Sequence, residues 1–569
     1  MKRDLGGMSA QQYDLLIVGG GISGASIAWD AALRGLSVGL VEKNDFGHAT
    51  TAASSKLIHG GLRYLRNFEL GIVRESLRER RTWCANAPHM VYPLPFLIPT
   101  RGMGLGGKTM LRTGLKLYDW LAFDRNKLKD PEQHIPAHRS LSRDEAIALE
   151  PSLESTQLTG ALLYHDCQTH SPERLNLELL LGAAENGADV ANYAEVIDFL
   201  DEPETTGRRI VGCRVRDAFG GDEIELRGRV IVNASGPWAD AVMARLAGGE
   251  PPRRLIRSKG IHIITRPLTG QHAVTLAAPG GGHFFVIPWR GRSLIGTTDT
   301  LYEGDPDSFG VTERDIAEFI AVVNEGFPAA RLTREDVLFF YGGMRPLVDR
   351  QTDVKAGVAG DESAATDTYS ASRAAEIYDH GAHGGPQGVF SAIGGKWTTS
   401  RHLAEQIVDR TVKQLGVQPR PCMTATTPTF AGSVGRFPGF AKQARSRNPD
   451  LPAEVTNHLA RDYGSRMDDV AGLAQNVPAL AAAICETRPN IAAEVVHALE
   501  NEMAMTLEDV LFRRTGLGTL GSPGPTCIER VAELMASALG WDQTERMSQI
   551  ERANARFVPQ QSPETSVPA

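Results

Sequence analysis

Residues 13–43 read YDLLIVGGGISGASIAWDAALRGLSVGLVEK, and this stretch decides the fold class. The apolar run from Leu15 to Val18 does not alternate with polar residues, which is typical of a strand buried in a parallel sheet. A glycine turn follows, then helical spacing from Ile22 to Arg34 and a second apolar run from Ser37 to Val41. Because strand–helix–strand units cross over with right-handed geometry, the two strands are predicted to be parallel neighbours in an α/β fold.

The glycine turn predicts a dinucleotide-binding site. Gly19, Gly21 and Gly24 fit the pattern G-x-G-x-x-G, and Ile22 and Ser23 stand between the last two glycines. The first glycine permits the tight turn, the second lets a pyrophosphate approach the backbone, and the third lets the helix pack closely on the strand. The phosphates are then expected at the helix N-terminus, where N–H groups and the helix dipole favour anions.

Glu42 follows the second strand and strengthens this prediction. A carboxylate about 20 residues after the glycines is placed to accept hydrogen bonds from ribose hydroxyls. A glycine-rich turn without a ligand would leave Glu42 unexplained. The acidic side chain also disfavours NADP, whose additional phosphate is bound by arginine, but the pattern alone does not separate FAD from NAD.

The composition of the chain is that of an ordinary soluble protein with more than one domain. Its 569 residues exceed what one hydrophobic core supports, and 42% are hydrophobic against 22% charged. The net charge of −8 argues against a nucleic-acid partner, which needs a basic surface. No apolar run approaches the roughly 18 residues that span a bilayer, and the N-terminus does not resemble a signal peptide. We therefore expect a cytoplasmic protein.

The cysteines predict neither a metal site nor a disulfide framework. Six are scattered along the chain without a C-x-x-C pair: Cys84, Cys167, Cys213, Cys422, Cys485 and Cys527. This pattern favours reduced thiols and speaks against a cysteine-bound cluster or a structural zinc ion.

The sequence pattern changes along the chain and predicts two main regions and a tail. Short strands with turn signals dominate residues 160–350, whereas amphipathic helices dominate after about residue 420. We predict a first region of strands and helices at 11–420, a helical C-terminal domain at 421–555 and a disordered, Pro/Ser-rich tail at 556–569. Within the first region, the predicted nucleotide-binding parts are 11–95, 170–250 and 375–420, and the predicted substrate parts are 96–169 and 251–374.

From about residue 12 to 555, the chain resembles the FAD-dependent glycerol-3-phosphate dehydrogenase family, in its aerobic, single-chain bacterial type. The matching segments follow one another in the family's order: ATTAASSKLIHGGLRYL (49–65), APHMVYPLPFLIP (87–99), VIVNASGPWAD (230–240), SKGIHI (258–263), FVIPW (285–289), LIGTTDT (294–300), GGMRPL (342–347), GGKWTT (394–399) and LEDVLFRRT (507–515). The resemblance implies a dinucleotide fold like that of glutathione reductase and D-amino-acid oxidase. It also implies an antiparallel-sheet substrate domain and an all-helical C-terminal domain.

FAD is the cofactor that the resemblance implies, and three segments are then expected to lie along it. Adjacent glycines suit the approach of a flat ring to the backbone. A helix that starts near Thr398 would direct N–H groups at the electron-rich end of the flavin. The implied contacts are Ser54, Ser55, Lys56, His59, Gly60, Gly61, Ala234, Ser235, Gly236, Gly394, Gly395, Lys396 and Thr398.

The reaction implied by the resemblance is oxidation of sn-glycerol 3-phosphate to dihydroxyacetone phosphate, with hydride passing from C2 to flavin N5. Cationic side chains suit the phosphate, and the implied substrate contacts are Arg63, Tyr64, Arg345, Arg373 and Lys396. Arg345 is also expected to stabilise the developing alkoxide. His262 is the candidate general base and His59 the second candidate, because an imidazole titrates near neutral pH.

Family members of this type pass their electrons to a quinone at the inner membrane. Residues 101–129 contain seven Lys or Arg against two Asp, interleaved with apolar and aromatic side chains. They are interpreted either as a cationic helix in the membrane interface or as a cap helix with one buried face. The expected location is therefore cytoplasmic, with peripheral contact to the cytoplasmic face of the membrane as an open alternative. A homodimer is also left open.

Two departures from the family pattern leave the substrate open. Residues 168–175 read QTHSPERL and lack the family's paired aspartates, and residues 355–373 are rich in Ala and Ser. Another polyol phosphate, such as an erythritol phosphate, is the alternative substrate. A flavin-dependent RNA-modifying enzyme, a non-catalytic flavoprotein scaffold and a plain NAD enzyme explain fewer of these residues. The family's oxidase and Fe–S-linked anaerobic branches fit less well.

Overall fold

The computed structural model describes residues 1–102, 107–153, 157–205, 207–252, 255–279, 281–348 and 374–561. The strands among these residues are β1 (Gln12–Val18), β2 (Val38–Val41), β3 (Leu57–Ile58), β4 (Val91–Arg101), β5 (Arg139–Leu141), β6 (Leu158–Thr169), β7 (Asp189–Ala191), β8 (Ala194–Glu204), β9 (Gly207–Asp217), β10 (Glu223–Asn233), β11 (Leu255–Thr265), β12 (Ala273–Ala277), β13 (His283–Trp289), β14 (Arg292–Gly296), β15 (Thr300–Leu301), β16 (Val337–Val348), β17 (Glu376–Asp379) and β18 (Val389–Ile393).

The α-helices are α1 (Leu5–Ser9), α2 (Ile22–Leu33), α3 (Leu70–Asn86), α4 (Lys108–Leu121), α5 (Arg143–Leu149), α6 (Pro172–Glu185), α7 (Ala239–Ala247), α8 (Glu313–Gly326), α9 (Ser400–Leu415), α10 (Phe437–Arg447), α11 (Ala453–Tyr463), α12 (Met467–Asn476), α13 (Ala492–Asn501), α14 (Pro525–Leu539) and α15 (Gln543–Ala555). None of the described helices is both long and apolar enough to cross a membrane.

The first sheet carries the nucleotide-binding unit. Its strands follow the order β17-β18-β10-β1-β2-β7, and β9 joins β8 to β10. The predicted parallel pairing is confirmed, since Leu15 lies opposite Val38 and Val18 opposite Val41. β1 also runs parallel to β10, so that both strands end beside the glycine turn. All four residues of β2 are buried, as expected of a strand covered on both faces.

The second sheet covers this nucleotide-binding unit. Its order is β15-β11-β14-β13-β12-β4-β6-β3, with β16 on β11 and β5 on β6, and most of its pairs are antiparallel. The long pair of β11 and β16 sets Ser258 opposite Arg345 and His262 opposite Tyr341. Two residues that are distant in sequence, His262 and Arg345, thereby belong to one sheet.

Buried ion pairs join the C-terminal helices to the nucleotide-binding unit. The Asp45 carboxylate accepts hydrogen bonds from Arg513 Nε at 2.5 Å and from Arg514 Nη1 and Nη2 at 2.8 Å. Burial would raise the pKa of this carboxyl, but Arg514 and Arg513 hold it well below its usual range. Arg174 likewise donates to Glu502 at 2.8 and 3.0 Å. The helical region is thus held to the first sheet by charges that have no access to water.

Replacing Asp45 by asparagine is expected to lower the free energy of unfolding by about 3 kcal/mol. The change leaves the buried Arg514 guanidinium without its ion-pair partner and leaves Arg513 with Asp509 alone. Chemical denaturation of the Asp45→Asn protein would measure the loss, with Asp307→Asn as the control because Asp307 also pairs with a cation but is exposed. Equal stability of Asp45→Asn and wild type would contradict the role of the Asp45 ion pairs in holding the helical region to the first sheet.

The expectation of reduced thiols is wrong for one pair. Cys485 and Cys527 form a disulfide, with an S–S distance of 2.26 Å and Cα atoms 5.4 Å apart. The loop before α13 packs on α14, and this contact joins residues that are 42 positions apart. Cys84 and Cys167 are buried free thiols whose sulfur atoms lie 3.1 Å apart.

The structure also corrects two predicted boundaries. The cationic stretch 101–129 is not one helix, because Arg101 ends β4 and the helix α4 covers only Lys108–Leu121. The first residues of the predicted tail pack against the folded part of the chain. The Phe557 ring lies 5.4 Å from that of Phe512, and Gln560 N donates to Val311 O at 2.8 Å. Residues 562–569 lie outside the described part of the chain.

Candidate functional site

A cavity of about 1830 Å³ is lined by residues of both sheets. The carboxyl ends of β1 and β2 supply one wall, and β11, β13 and β16 supply another. The sequence-predicted residues that line it are Gly19, Gly21, Ile22, Ser23, Glu42, Ser54, Ser55, His59, Gly61, Arg63, Tyr64, Ala234, Ser235, Gly236, His262, Arg345, Gly394, Gly395, Lys396 and Thr398. The fold thus brings together segments that lie up to about 380 residues apart in the sequence.

The glycine turn has the shape that a pyrophosphate requires. A Cβ at Gly19, whose φ is +108°, would lie 2.7 Å from Ala234 O, and a Cβ at Gly24 would lie 1.9 Å from Gly19 O. At Gly21, the N-cap of α2, an added Cβ would meet only Thr51 Oγ1, at 3.3 Å. Gly19 and Gly24 are therefore glycines for packing, whereas Gly21 keeps the N-terminus of α2 open toward the cavity. These residues fit a dinucleotide such as FAD.

The acidic residue lies where the pattern predicts it. Glu42 follows β2, and its carboxylate accepts hydrogen bonds from Gly20 N at 2.7 Å and Asn44 N at 2.9 Å. Thr51 was not predicted, although its hydroxyl accepts from Ile22 N at 3.0 Å. Its signal was the hydroxyl-rich run ATTAASS, residues 49–55.

The other two predicted cofactor segments line the same cavity. Ala234 N donates to Val18 O at 2.8 Å, which holds the end of β10 beside β1. Gly394 and Gly395 have φ of +70° and +95°, so glycine suits both positions. Thr398 Oγ1 accepts a hydrogen bond from His59 N at 3.3 Å, which ties the third segment to the first.

Two predicted flavin contacts of the segment 54–61, Lys56 and Gly60, do not line the cavity. Lys56 is buried, and its Nζ donates to Glu173 Oε1 at 2.8 Å. Gly60 faces helices, since an added Cβ would lie 2.3 Å from Tyr118 Oη and 2.5 Å from Leu77 Cδ2. The sequence suggested one continuous surface along the flavin, but side chains of an irregular segment point in several directions.

His262 is held between an aromatic ring and a hydroxyl. Its Nε2 lies 2.9 Å from Ser55 Oγ, and its ring stacks on Tyr341 at a centroid distance of 4.9 Å. Burial lowers the pKa of His262 well below 6.5, and the positive charges of Arg345 and Lys56 lower it further. The imidazole is therefore neutral at pH 7 and able to accept a proton.

Arg345 is aimed by the backbone and hydroxyls of the neighbouring strands. Its Nη1 donates to Ser258 Oγ at 2.7 Å, and its Nη2 donates to Thr297 Oγ1 and Thr298 O, each at 2.7 Å. Asp299 lies 3.5 Å from Nη1. These contacts fix the plane of the guanidinium group. Three of the four partners belong to the segment LIGTTDT, for which the sequence predicted no role.

Two further cationic side chains lie beside the Tyr64 ring. Lys396 Nζ lies 4.1 Å from the centre of the Tyr64 ring and donates to Ser76 Oγ at 2.9 Å. Arg63 Cζ lies 5.0 Å from the same ring. Two cations thus share one aromatic side chain at the cavity wall. Arg373, the remaining predicted substrate contact, lies outside the described residues.

A buried carboxylate behind the segment was also missed. Asp166 accepts hydrogen bonds from Tyr118 Oη at 2.8 and 2.9 Å and from Gly60 N at 3.2 Å, and it pairs with Arg80. It therefore holds the backbone at Gly60 to α3 and α4. Asp166 lies just before the region in which the sequence departs from the family pattern.

Comparisons with known proteins place the chain among flavoenzymes. A family model described as "FAD dependent oxidoreductase" matches residues 14–401, and one described as "C-terminal domain of alpha-glycerophosphate oxidase" matches residues 389–546. The chain is 36% identical to the glycerol-3-phosphate dehydrogenase of Synechocystis sp., over 95% of each chain. It is 33% identical to the aerobic glycerol-3-phosphate dehydrogenase of Staphylococcus aureus, over 89% of this chain and 87% of the relative.

Solved structures give the same picture. The glycerol-3-phosphate dehydrogenase from Bacillus halodurans, solved in complex with FAD, aligns with a TM-score of 0.75 and 28% identity over 97% of this chain and 96% of that one. The L-alpha-glycerophosphate oxidase from Mycoplasma pneumoniae aligns with a TM-score of 0.50 and 18% identity over 74% of this chain and 99% of that one, a likeness of fold alone.

Proposed function

The chain belongs to the family of FAD-dependent glycerol-3-phosphate dehydrogenases, and on this premise we propose that it oxidises sn-glycerol 3-phosphate to dihydroxyacetone phosphate. The observation that carries the proposal is the convergence of Arg345 and His262 with the cations around Tyr64 in the cavity that contains the glycine turn. Bound FAD supplies the acceptor for the hydride from C2.

Each group has a distinct task in this proposal. Arg63 and Lys396 hold the phosphate, because guanidinium and ammonium groups donate charge-assisted hydrogen bonds to its oxygens. Arg345 stabilises the negative charge that develops on the C2 oxygen, and its four fixed contacts mean that little reorganisation is needed. His262, neutral at pH 7, takes the hydroxyl proton.

Substrate choice is tested with the purified, FAD-loaded protein and an artificial dye acceptor. We expect turnover with glycerol 3-phosphate and none above background with unphosphorylated glycerol, because the cations around Tyr64 would then have no anion to bind. An erythritol phosphate is the competing substrate to include. A higher kcat/KM for it than for glycerol 3-phosphate would overturn the substrate assignment, and reduction by glycerol would overturn the phosphate site.

The general base is tested by the pH dependence of kcat/KM. Since the pKa of His262 is well below 6.5, protonation of its imidazole should lower the wild-type kcat/KM only at a pH below that value. His262→Gln should lower kcat by about 100-fold and abolish this imidazole-dependent fall. The second ionisation of a phosphate ester, near pH 6, persists in the variant and identifies the part that belongs to the substrate.

His59→Gln is the matched variant, because His59 lines the same cavity. A small loss of rate in His59→Gln with an unchanged pH profile agrees with His262 as the base. Near-normal turnover of His262→Gln, or a larger loss of rate in His59→Gln than in His262→Gln, would reject His262 as the general base.

We further propose a quinone as the electron acceptor and the cytoplasmic face of the inner membrane as the place of contact. Apolar side chains at the rim of the cavity support this: Phe68 is 83% and Met110 53% exposed. Trp120 and Phe123, each 70% exposed, lie at the end of α4. Aromatic groups beside basic residues suit a membrane interface. The homodimer stays a prediction.

Vesicles containing anionic lipid should therefore sediment the protein, and high salt should reduce the bound fraction. Phe68→Ser/Trp120→Ser should weaken binding while leaving dye-coupled turnover intact. Phe219→Ser, at an exposed aromatic residue in the turn between β9 and β10, is the control. Equal recovery in solution with and without vesicles would reject the membrane contact.

A further inference from the structure

The His262 imidazole is enclosed by its neighbours in the second sheet. One face of the ring stacks on Tyr341, with the ring centres 4.9 Å apart and the planes 16° apart. A Cβ added at Gly296 would lie 2.0 Å from His262 Cδ2 and 2.6 Å from Nε2, so the backbone of β14 covers this edge of the ring. His262 is only 3% exposed. The ring therefore offers a substrate hydroxyl little direct access.

The two ring nitrogens of His262 have different surroundings. Nδ1 is buried and has no hydrogen-bond partner among the described residues. Nε2 lies 2.9 Å from Ser55 Oγ. Because a general base receives a proton through the nitrogen that is hydrogen-bonded to the proton donor, Nε2 is the nitrogen in position to do so. The group that delivers the proton to it is the Ser55 hydroxyl.

Ser55 reaches the cavity where the reaction is proposed to occur. The residue is half-buried and lines that cavity. Arg345, which is proposed to stabilise the C2 oxygen, lies at the same end of β14: its Nη2 donates to Thr297 Oγ1 at 2.7 Å, and Thr297 directly follows Gly296. The Ser55–His262 pair and the Arg345 guanidinium are thus joined by two consecutive residues, and both can serve one substrate oxygen.

The residues on either side of Ser55 are anchored. Tyr341 Oη donates to Ser54 O at 2.8 Å. Lys56 has a φ of +54°, which is uncommon for a residue other than glycine, and its buried Nζ donates to Glu173 Oε1 at 2.8 Å. Such a backbone conformation persists only where the surrounding contacts hold it. These contacts fix the direction in which the Ser55 side chain points.

We propose, on the basis of the proposed function, that the Ser55 hydroxyl relays the substrate proton to His262. In the resting enzyme Ser55 Oγ–H donates to His262 Nε2. As the O–H bond at C2 of glycerol 3-phosphate breaks, its proton binds Ser55 Oγ, and the former Ser55 proton passes to Nε2. The hydride from C2 passes to bound FAD, so the alcohol is oxidised and FAD is reduced. A hydroxyl suits this task because it accepts one proton while it donates another.

A double-variant experiment tests whether Ser55 and His262 belong to one proton path. The measured quantity is the rate at which glycerol 3-phosphate reduces the flavin, in preparations with equal FAD absorbance. Ser55→Ala should lower this rate by about 100-fold, as His262→Gln does, and Ser55→Thr should recover most of it because it keeps a hydroxyl. Ser55→Ala/His262→Gln should be within about threefold of His262→Gln alone, because groups that act as a unit do not contribute independently.

A relay and a positioning role differ in the number of protons that move. The flavin reduction rate is therefore measured in mixtures of H2O and D2O. The wild-type rate should depend on the deuterium fraction along a curve, as expected for two protons in motion, and the Ser55→Ala rate along a straight line. Ser54→Ala is the matched variant, because Ser54 Oγ accepts from Lys56 N at 3.2 Å, and it should keep the curve whatever its rate. A straight line for wild type would overturn the relay.

The hydrogen bond itself is measured without turnover. The ¹⁵N chemical shift of His262 Nε2, assigned by its absence from His262→Gln, should move in Ser55→Ala and stay in place in Ser54→Ala. An unmoved signal in Ser55→Ala would overturn the inference.

Failure of the relay is distinguishable from failure of the proposed function. If His262→Gln lowers the rate about 100-fold but Ser55→Ala stays within about threefold of wild type, the relay is overturned and the proposed function stands. The same holds if the two losses multiply in the double variant. Absence of flavin reduction by glycerol 3-phosphate in the wild type would overturn the proposed function, and the relay with it.

Discussion

Replacing Arg345 by methionine is expected to lower kcat/KM for glycerol 3-phosphate by about 1,000-fold, equal to ~4 kcal/mol of transition-state stabilisation. Methionine keeps the length of the side chain but cannot donate a hydrogen bond to the developing alkoxide. The effect should appear mainly in kcat, because the charge on the C2 oxygen exists in the transition state and not in the bound alcohol. Steady-state kinetics with a dye acceptor would measure it.

Arg345→Lys separates charge from geometry. Lysine keeps the positive charge, but it cannot reproduce contacts to Ser258, Thr297 and Thr298 from one planar group. We therefore expect Arg345→Lys to have a kcat/KM between that of wild type and that of Arg345→Met. Arg266→Met, a half-exposed arginine that follows β11, is the matched control and should keep its activity. FAD absorbance must be equal in all four proteins, and a kcat/KM of Arg345→Met within about threefold of wild type would contradict the role.

Replacing Gly21 by alanine is expected to yield a folded but colourless protein. In the chain itself, an added Cβ at Gly21 meets only Thr51 Oγ1, at 3.3 Å, so a shift of a few tenths of an ångström by the Thr51 side chain accommodates it. In the complex, the same methyl group occupies the place where the pyrophosphate approaches the backbone. We expect FAD affinity to fall by about 100-fold or more, equal to ~3 kcal/mol, measured by flavin absorbance after gel filtration and by FAD titration.

Gly24 gives the contrasting result. A Cβ at Gly24 would lie 1.9 Å from Gly19 O, which is backbone and cannot move aside cheaply. Gly24→Ala should therefore lower the unfolding temperature of the apoprotein, whereas Gly21→Ala should not. Gly472→Ala is the control, because nothing lies within 4 Å of its added Cβ. Retention of FAD by Gly21→Ala at the wild-type level would show that the dinucleotide does not lie on this turn.

The sequence predicted the nucleotide-binding unit correctly because its signals are local. β1, the turn and α2 lie within one continuous segment, and each glycine or apolar run acts on its immediate neighbours. The family and FAD, implied by the ordered motifs, were confirmed by comparison with relatives and solved structures. The roles of His262, Arg345, Lys396 and the other site residues stay predictions, although the structure gathers the described ones in one cavity, apart from Lys56, Gly60 and the packing glycine Gly24.

Contacts between distant segments could not be predicted from the sequence. Lys56 and Gly60 stay predicted flavin contacts, but Glu173 and Tyr118, distant in sequence, decide where the Lys56 side chain and a Cβ at Gly60 point. The disulfide of Cys485 and the docking of Phe557 likewise depend on how separate elements pack.

The sequence by itself determined the strand–turn–helix unit, the cofactor class and the family. Backbone conformation and the spacing of apolar and glycine residues are fixed by nearest neighbours, and such information is present in the order of residues. Only the tertiary structure decided which side chains share the cavity, that Asp166 holds Gly60, and that Arg290 reaches Thr519 of the C-terminal region. These contacts join residues that lie far apart in the chain. The burial and the electrostatic environment of each residue depend on those distant partners, which a local sequence pattern does not identify.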